Sequence, residues 1–321
     1  MDVVRETDID ADFFAGKYSI STDLDELEDL IDFEMLDFDR EASDNQVQID
    51  IDTNLGEITV SLPSVAVHSI NSNGLQMGPS QLKNVQISIQ NGSFDVPLLG
   101  EMSIRDQISR DANIKGNTKV HVSIGQAIGN NAVYIDPDNG QETSANKVTL
   151  NQLSIGASLK DGFGEPLTTA NFSVASANID GLDASGFAGS VDINAANGSY
   201  NSAQNTAALN AQRVVGNGIA LGSNSTSIEQ SSIDGLSANI TGIDNTDQAA
   251  VNISARAVMA NNVDSSVGGL SAANAAGVNG TFQLSGAESS VTADSINAAG
   301  VSGSTFAVDD ASVAGFTANK S

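Results

Sequence analysis

The side chains that could do chemistry are few and scattered. Histidine occurs twice, as His68 and His121, beside Val67 and between Val120 and Val122. Neither has a second ligand or base at a set spacing, so both read as surface strand histidines, not as part of a zinc site or a Ser-His-Asp relay. Cysteine is absent, which removes disulfides, thiolate sites and thiol nucleophiles. No Gly-x-Ser-x-Gly elbow and no Gly-Lys-Ser/Thr phosphate loop occurs, and glycine-rich stretches such as Val267-Gly268-Gly269-Leu270 lack a basic neighbour. Nothing selects the carboxylate pair that glycan cleavage would need. The expectation is a non-enzymatic chain without a cofactor.

Calcium is the one ligand with residues to examine. Asp8-x-Asp10-x-Asp12 and Asp50-x-Asp52-x-Asn54 place oxygens at alternate positions. A calcium loop wants Gly at its sixth position, where Phe13 or Leu55 stands, and Glu at its twelfth, where neither run has one. Asp50, Asp52 and Asn54 are therefore carried forward as a candidate structural calcium site, although strand alternation explains their spacing equally well.

The elements that would position these residues follow from charge and periodicity. The chain has 40 acidic and 13 basic residues, a net charge of −27. Nucleic acid is a poor partner for such a surface, and so is an anionic membrane. Residues 1–45 form an acidic N-terminal segment, in which Leu24, Leu27, Ile31, Met35 and Phe38 recur at helical spacing. A short amphipathic helix over about 22–38 is expected there. Its stripe packs on its own protein or, as the sharper alternative, docks a basic partner. No run is long enough for a membrane span. Met1 to Phe14 lacks the basic and apolar regions of a signal peptide.

Over residues 46–160 the period changes to two. Val47, Ile49 and Ile51 alternate with polar residues, as do Ile58–Leu62, Val85–Ile89, Val120–Ile124 and Val148–Leu150. These read as half-buried strands. Asp136-Pro137-Asp138-Asn139-Gly140 reads as a turn linking Val133–Ile135 to the strand near Val148.

Residues 161–321 are rich in Ala, Gly, Asn and Ser, with single large apolar residues between. A spacing recurs there: Val174, Ile179 and Gly181-Leu182; Ile228, Ile233 and Gly235-Leu236; Val308, Val313 and Gly315-Phe316. Val65–Leu75 aligns without gaps to Val291–Val301. Each unit is expected to be a short strand, a Gly or Asn turn and another short strand, with stacked units sharing a narrow core. Aromatic residues are only 4% of the chain, which favours thin layers over one thick core. The expected fold is mainly β, an irregular β-solenoid or an elongated curled antiparallel sheet, with the tail continuous with the middle.

The stretch Gly218-Ile219-Ala220-Leu221-Gly222-Ser223-Asn224-Ser225 resembles the head repeat of trimeric autotransporter adhesins, and the tail is similar in style to filamentous bacterial adhesins and phage fibres. The resemblance implies a surface or particle-borne rod that binds or spaces. The functional expectation is a structural or adhesive repeat protein in a surface appendage, fibre or injection-type particle, with self-association or protein partners, placed outside the cell without a cleavable signal peptide. The alternative is a binding module whose curled sheet holds a lipid or other hydrophobic ligand.

Overall fold

The alternating runs fold as strands, and most are longer than their periodicity indicates. The computed structural model describes residues 8–12, 17–23, 36–38, 46–52, 57–72, 74–90, 118–137, 139–159, 167–222, 226–243, 249–283 and 289–320. Within them the chain forms one sheet of 17 strands. The first seven are β1 (Asp8–Asp12), β2 (Lys17–Asp23), β3 (Leu36–Phe38), β4 (Gln46–Asp52), β5 (Glu57–Ser72), β6 (Leu75–Met77) and β7 (Ser80–Gln90). Then come β8 (Thr118–Ile135), β9 (Glu142–Leu159), β10 (Leu167–Ala184), β11 (Phe187–Asn201) and β12 (Thr206–Leu221). The last five are β13 (Thr226–Thr241), β14 (Ala250–Ser265), β15 (Gly268–Gln283), β16 (Ser289–Gly303) and β17 (Ala307–Lys320).

All neighbours run antiparallel. The spine is β1-β2-β4-β5-β7-β8, after which each strand pairs with the next as far as β17. The small strands fill gaps: β3 lies along the end of β5, and β6 bridges β5 and β8. Such a meander needs only short connections. The turn expected at Asp136–Gly140 joins β8 to β9, and the Gly140 N–H donates to the Asp136 carbonyl at 2.8 Å.

Of the two architectures expected, the antiparallel sheet is the one observed. A solenoid pairs parallel strands of successive coils, whereas consecutive strands here run antiparallel. The helix expected over about 22–38 is replaced by strand at both ends, since Thr22 and Asp23 close β2 and Leu36–Phe38 form β3. There the backbone is extended and pairs across the sheet, Leu36 with Ile70 and Phe38 with Val67. The intervening stripe residues Leu24, Leu27, Ile31 and Met35 lie outside the described residues.

The long strands are bent at regular places. Asn84, Gln152, Ala195, Gly235, Gly277 and Gly315 have positive φ and lie on β7, β9, β11, β13, β15 and β17. The register places them on one line across the sheet, with Gly125, Ala175, Gln212, Arg256 and Asp294 opposite them on the strands between. A second line holds Asn131, Gly181, Gly218, Asn262 and Gly300, on β8, β10, β12, β14 and β16. Positive φ thus alternates from strand to strand along the first line, and along the second except at β11, where Gly189 beside Gly218 is also positive. On strands such as β10 (175, 181) and β13 (229, 235) the two lines fall about six residues apart.

A left-handed residue within extended backbone turns the chain and resets its alternation. The second residue before such a residue and the first after it then share a face, although they are three apart, as Ile179 and Leu182 do around Gly181. On the strands between, the offset is reversed: Val174 and Ala177 straddle Ala175, which faces the left-handed Gln152 and Ala195, and both are buried in one apolar cluster. At the second line, a side chain on Gly216 would collide with the Ile219 side chain three residues on. Apolar residues therefore gather on the inside of both corners.

The repeat unit is consequently a corner pattern within one strand. Its recurring positions are 1, 4, 6 and 9, apolar except at Ser231: Val174, Ala177, Ile179 and Leu182 on β10; Ile228, Ser231, Ile233 and Leu236 on β13; Val308, Ala311, Val313 and Phe316 on β17. The recurring glycine sits at a corner, not at a turn between two short strands as the spacing predicts. The register joins these positions into rows. One runs Val65, Leu82, Ala127, Leu150, Ala177, Ile193, Val214, Ile233, Val258, Ala275, Ile296 and Val313, each opposite the next. Among the described residues, every buried hydrophobic side chain except Ala66 and Ala249 falls in these rows, with Val47 extending one of them through β4. Each buried side chain contributes at about 25 cal/mol per Å² removed from water.

The alignment of Val65–Leu75 with Val291–Val301 does not survive. Val65 lies two residues past the first corner line, whereas Val291 lies three before it. Gly74 is a turn between β5 and β6, whereas Gly300 is a corner inside β16.

Candidate functional site

The feature that stands out is the apolar face itself. All the described strands belong to one sheet, and several of its large apolar side chains are open to solvent. A further row lies three residues before the first corner line on β10, β12 and β14, at Phe172, Leu209 and Ile253, and reaches Ile155 on β9 opposite Phe172; these side chains are exposed by 37%, 42%, 38% and 41%. Small residues alternate with these large ones. The Phe172 ring lies over Gly198, where an added Cβ would strike it.

The opposite face is polar and tied by side-chain ladders. Gln126 donates to Asn151 at 3.1 Å, and Asn151 donates to Ser176 at 3.0 Å, linking β8, β9 and β10. Asp192 accepts from Asn178 at 2.6 Å and from Asn217 at 3.3 Å, spanning β10 to β12. Arg213 pairs with Asp234 at 3.5 Å across β12 and β13. Corners take part as well: the Asn262 amide donates to the Glu229 carboxylate. These contacts, exposed or half-buried, are individually small, but they use the Asn, Ser and Asp that make the tail look compositionally disordered. A shallow recess of about 410 Å³ lies on this face, over Met259, Asn274, Asn297 and Ser312.

The sequence-derived candidates are distributed as follows. Asp50 lies in β4, where its carboxylate accepts from Ser19 at 2.6 Å and from Gln48 at 3.2 Å. Asp52 closes the same strand, and Asn54 lies outside the described residues. Asp50 and Asp52 sit two apart on one strand, as alternation requires, and among the described residues no group of three His, Asp or Glu converges as a metal site. His68 on β5 and His121 on β8 are both exposed. Of the docking stripe only Phe38 is described, in β3 opposite Val67. Gly218–Leu221, in the adhesin-like stretch, end β12 with Gly218 as a corner. Among the described residues, no helix is long and apolar enough to cross a membrane.

The corner rows had a signal in the sequence, the apolar spacing of five and three with Gly between. The non-glycine corners Gln152 and Ala195 had none. No protein-family model, curated protein or solved structure matches this chain.

Proposed function

We propose that the chain is a non-catalytic structural repeat protein, an element of a surface appendage, fibre or particle that spans distance and presents a surface. The supporting observation is the regularity of the ladder: one corner pattern serves strand after strand, with the same apolar rows and corner lines. Repetition of this kind extends a body without assembling a localised site. Immunogold labelling of intact producing cells or particles tests the reading. Label along appendages or on particle surfaces is expected; label confined to the cell interior would overturn it.

A second reading draws on the exposed row of Ile155, Phe172, Leu209 and Ile253. Open apolar surface of this kind marks an interaction site, and a lipid or other hydrophobic ligand along the corners would cover it. Native mass spectrometry of the detergent-free protein would then show an added apolar mass, and repeated spectra of the bare chain would remove this reading.

A further inference from the structure

Among the described residues, β16 is the one strand that pairs with β17. β17 pairs with β16 on one side, and all of its fourteen residues are exposed, including Val308 (42%), Val313 (50%) and Phe316 (37%). Long exposed edges pair with other strands unless something blocks them. What this edge accepts follows from its own pattern.

Positions 1, 4, 6 and 9 read the same in both directions, so β17 is complementary to a reversed copy of itself about Ser312. In that register Phe316 meets Val308, and Val313 meets Ala311. Both corner lines also continue, because Gly315 falls opposite Asp309 of the other copy. The sheet already contains that combination: Asp294 stands between the positive-φ residues Gly277 and Gly315, and Asp309 is opposite Gly300. The two-fold pairing would place Asp309 between Gly300 and the second copy's Gly315, and it preserves the alternation of positive φ along both lines. The charges agree, since Asp309, Asp310 and Lys320 face positions 315, 314 and 304, none of them charged. A slip of one residue would turn every apolar side chain to the other face, and a slip of two would break both corner lines. The opposite end of the sheet offers no such match, because β1 is five residues, Asp-Ile-Asp-Ala-Asp.

We propose that two copies of this chain join edge to edge through β17, antiparallel about a two-fold axis at Ser312, making one continuous folded sheet. The interface is isologous and closes on itself, so it yields a dimer and not an open fibre. It stands apart from the functional reading above: the chain can dimerise in this way whether it spans, adheres or holds a ligand.

Ser312 is exposed, and its hydroxyl donates to Asn297 at 2.7 Å, so substitution there disturbs one surface contact. Sedimentation equilibrium of the full chain is expected to show a dimer. Ser312→Lys and Ser312→Glu each place like charges opposite each other and should raise the dissociation constant at least about tenfold. An equimolar mixture of the two should restore the dimer. Ser312→Cys adds a thiol to a chain that has none, and mild oxidation should give a covalent dimer that keeps the wild-type circular dichroism. A monomeric wild type at about 100 µM, charged variants that associate as the wild type does, or a mixture that stays monomeric would each overturn the proposal.

Discussion

Val174→Asp should lower the stability of the sheet by about 3–4 kcal/mol in urea denaturation, a large share of what a domain of this size commands. Val174 is 7% exposed, and it belongs to a cluster with Ala177, Ala196 and Ala211, against which Leu150, Leu153 and Val214 pack. A carboxylate there loses the packing of the valine and meets no donor among these apolar neighbours. The layer is thin, so no deeper core takes up the loss. Asn274→Asp on the polar face of β15 adds the same charge at an exposed position and should change stability by no more than about 0.5 kcal/mol. Equal effects at the two sites would contradict the assignment of faces.

The second large effect concerns backbone geometry. Gly268 opens β15 with φ of 152°, and a Cβ built on it would collide with the Ser302 carbonyl oxygen of β16 and come within 3.0 Å of the Gly303 Cα. Both neighbours are main chain held in the ladder, so neither can rotate away. Gly268→Ala should cost about 2–3 kcal/mol, combining conformational strain with the displacement of β16. The reverse change is informative at a corner. Ala195 has φ of 48°, where an L side chain costs about 1–2 kcal/mol. Ala195→Gly relieves that strain while loosening the unfolded chain, so a gain of up to about 1 kcal/mol is expected. Calorimetric midpoints of the two variants should move in opposite directions. Movement in the same direction would mean that the corner at Ala195 is not left-handed.

Much of the fold was legible. Ile58–Leu62, Val85–Ile89, Val120–Ile124 and Val148–Leu150 alternate as strands and are strands, and Asp136–Gly140 turns where Pro, Asn and Gly favour turning. The tail was harder because its strands break the period of two. Val174, Ala177, Ile179 and Leu182 share a face at spacings of three, two and three, a sequence matching neither a plain strand nor a helix. The spacing of five from Val174 to Ile179 is visible, yet the same spacing from Val291 to Ile296 starts in a different row, and so distant segments align without being equivalent. Corners at Gln152 and Ala195 carry no signature, since their conformation is imposed by the corner line running through neighbouring strands. The stripe at Leu24–Phe38 shows the converse failure: Phe38 satisfies a helical spacing and also lies two residues from Leu36 on a strand edge, and pairing with β5 decides between them.

The central claim is one antiparallel sheet folded along two lines of left-handed residues, and the cysteine-free chain allows it to be tested directly. Single cysteines are placed at each position from 174 to 182 and their alkylation rates compared. The folded sheet predicts protection at 174, 177, 179 and 182, with faster reaction at 176, 178 and 180. Protection at 174, 176, 178, 180 and 182 would be the strict alternation of an unbent strand, and it would contradict the account.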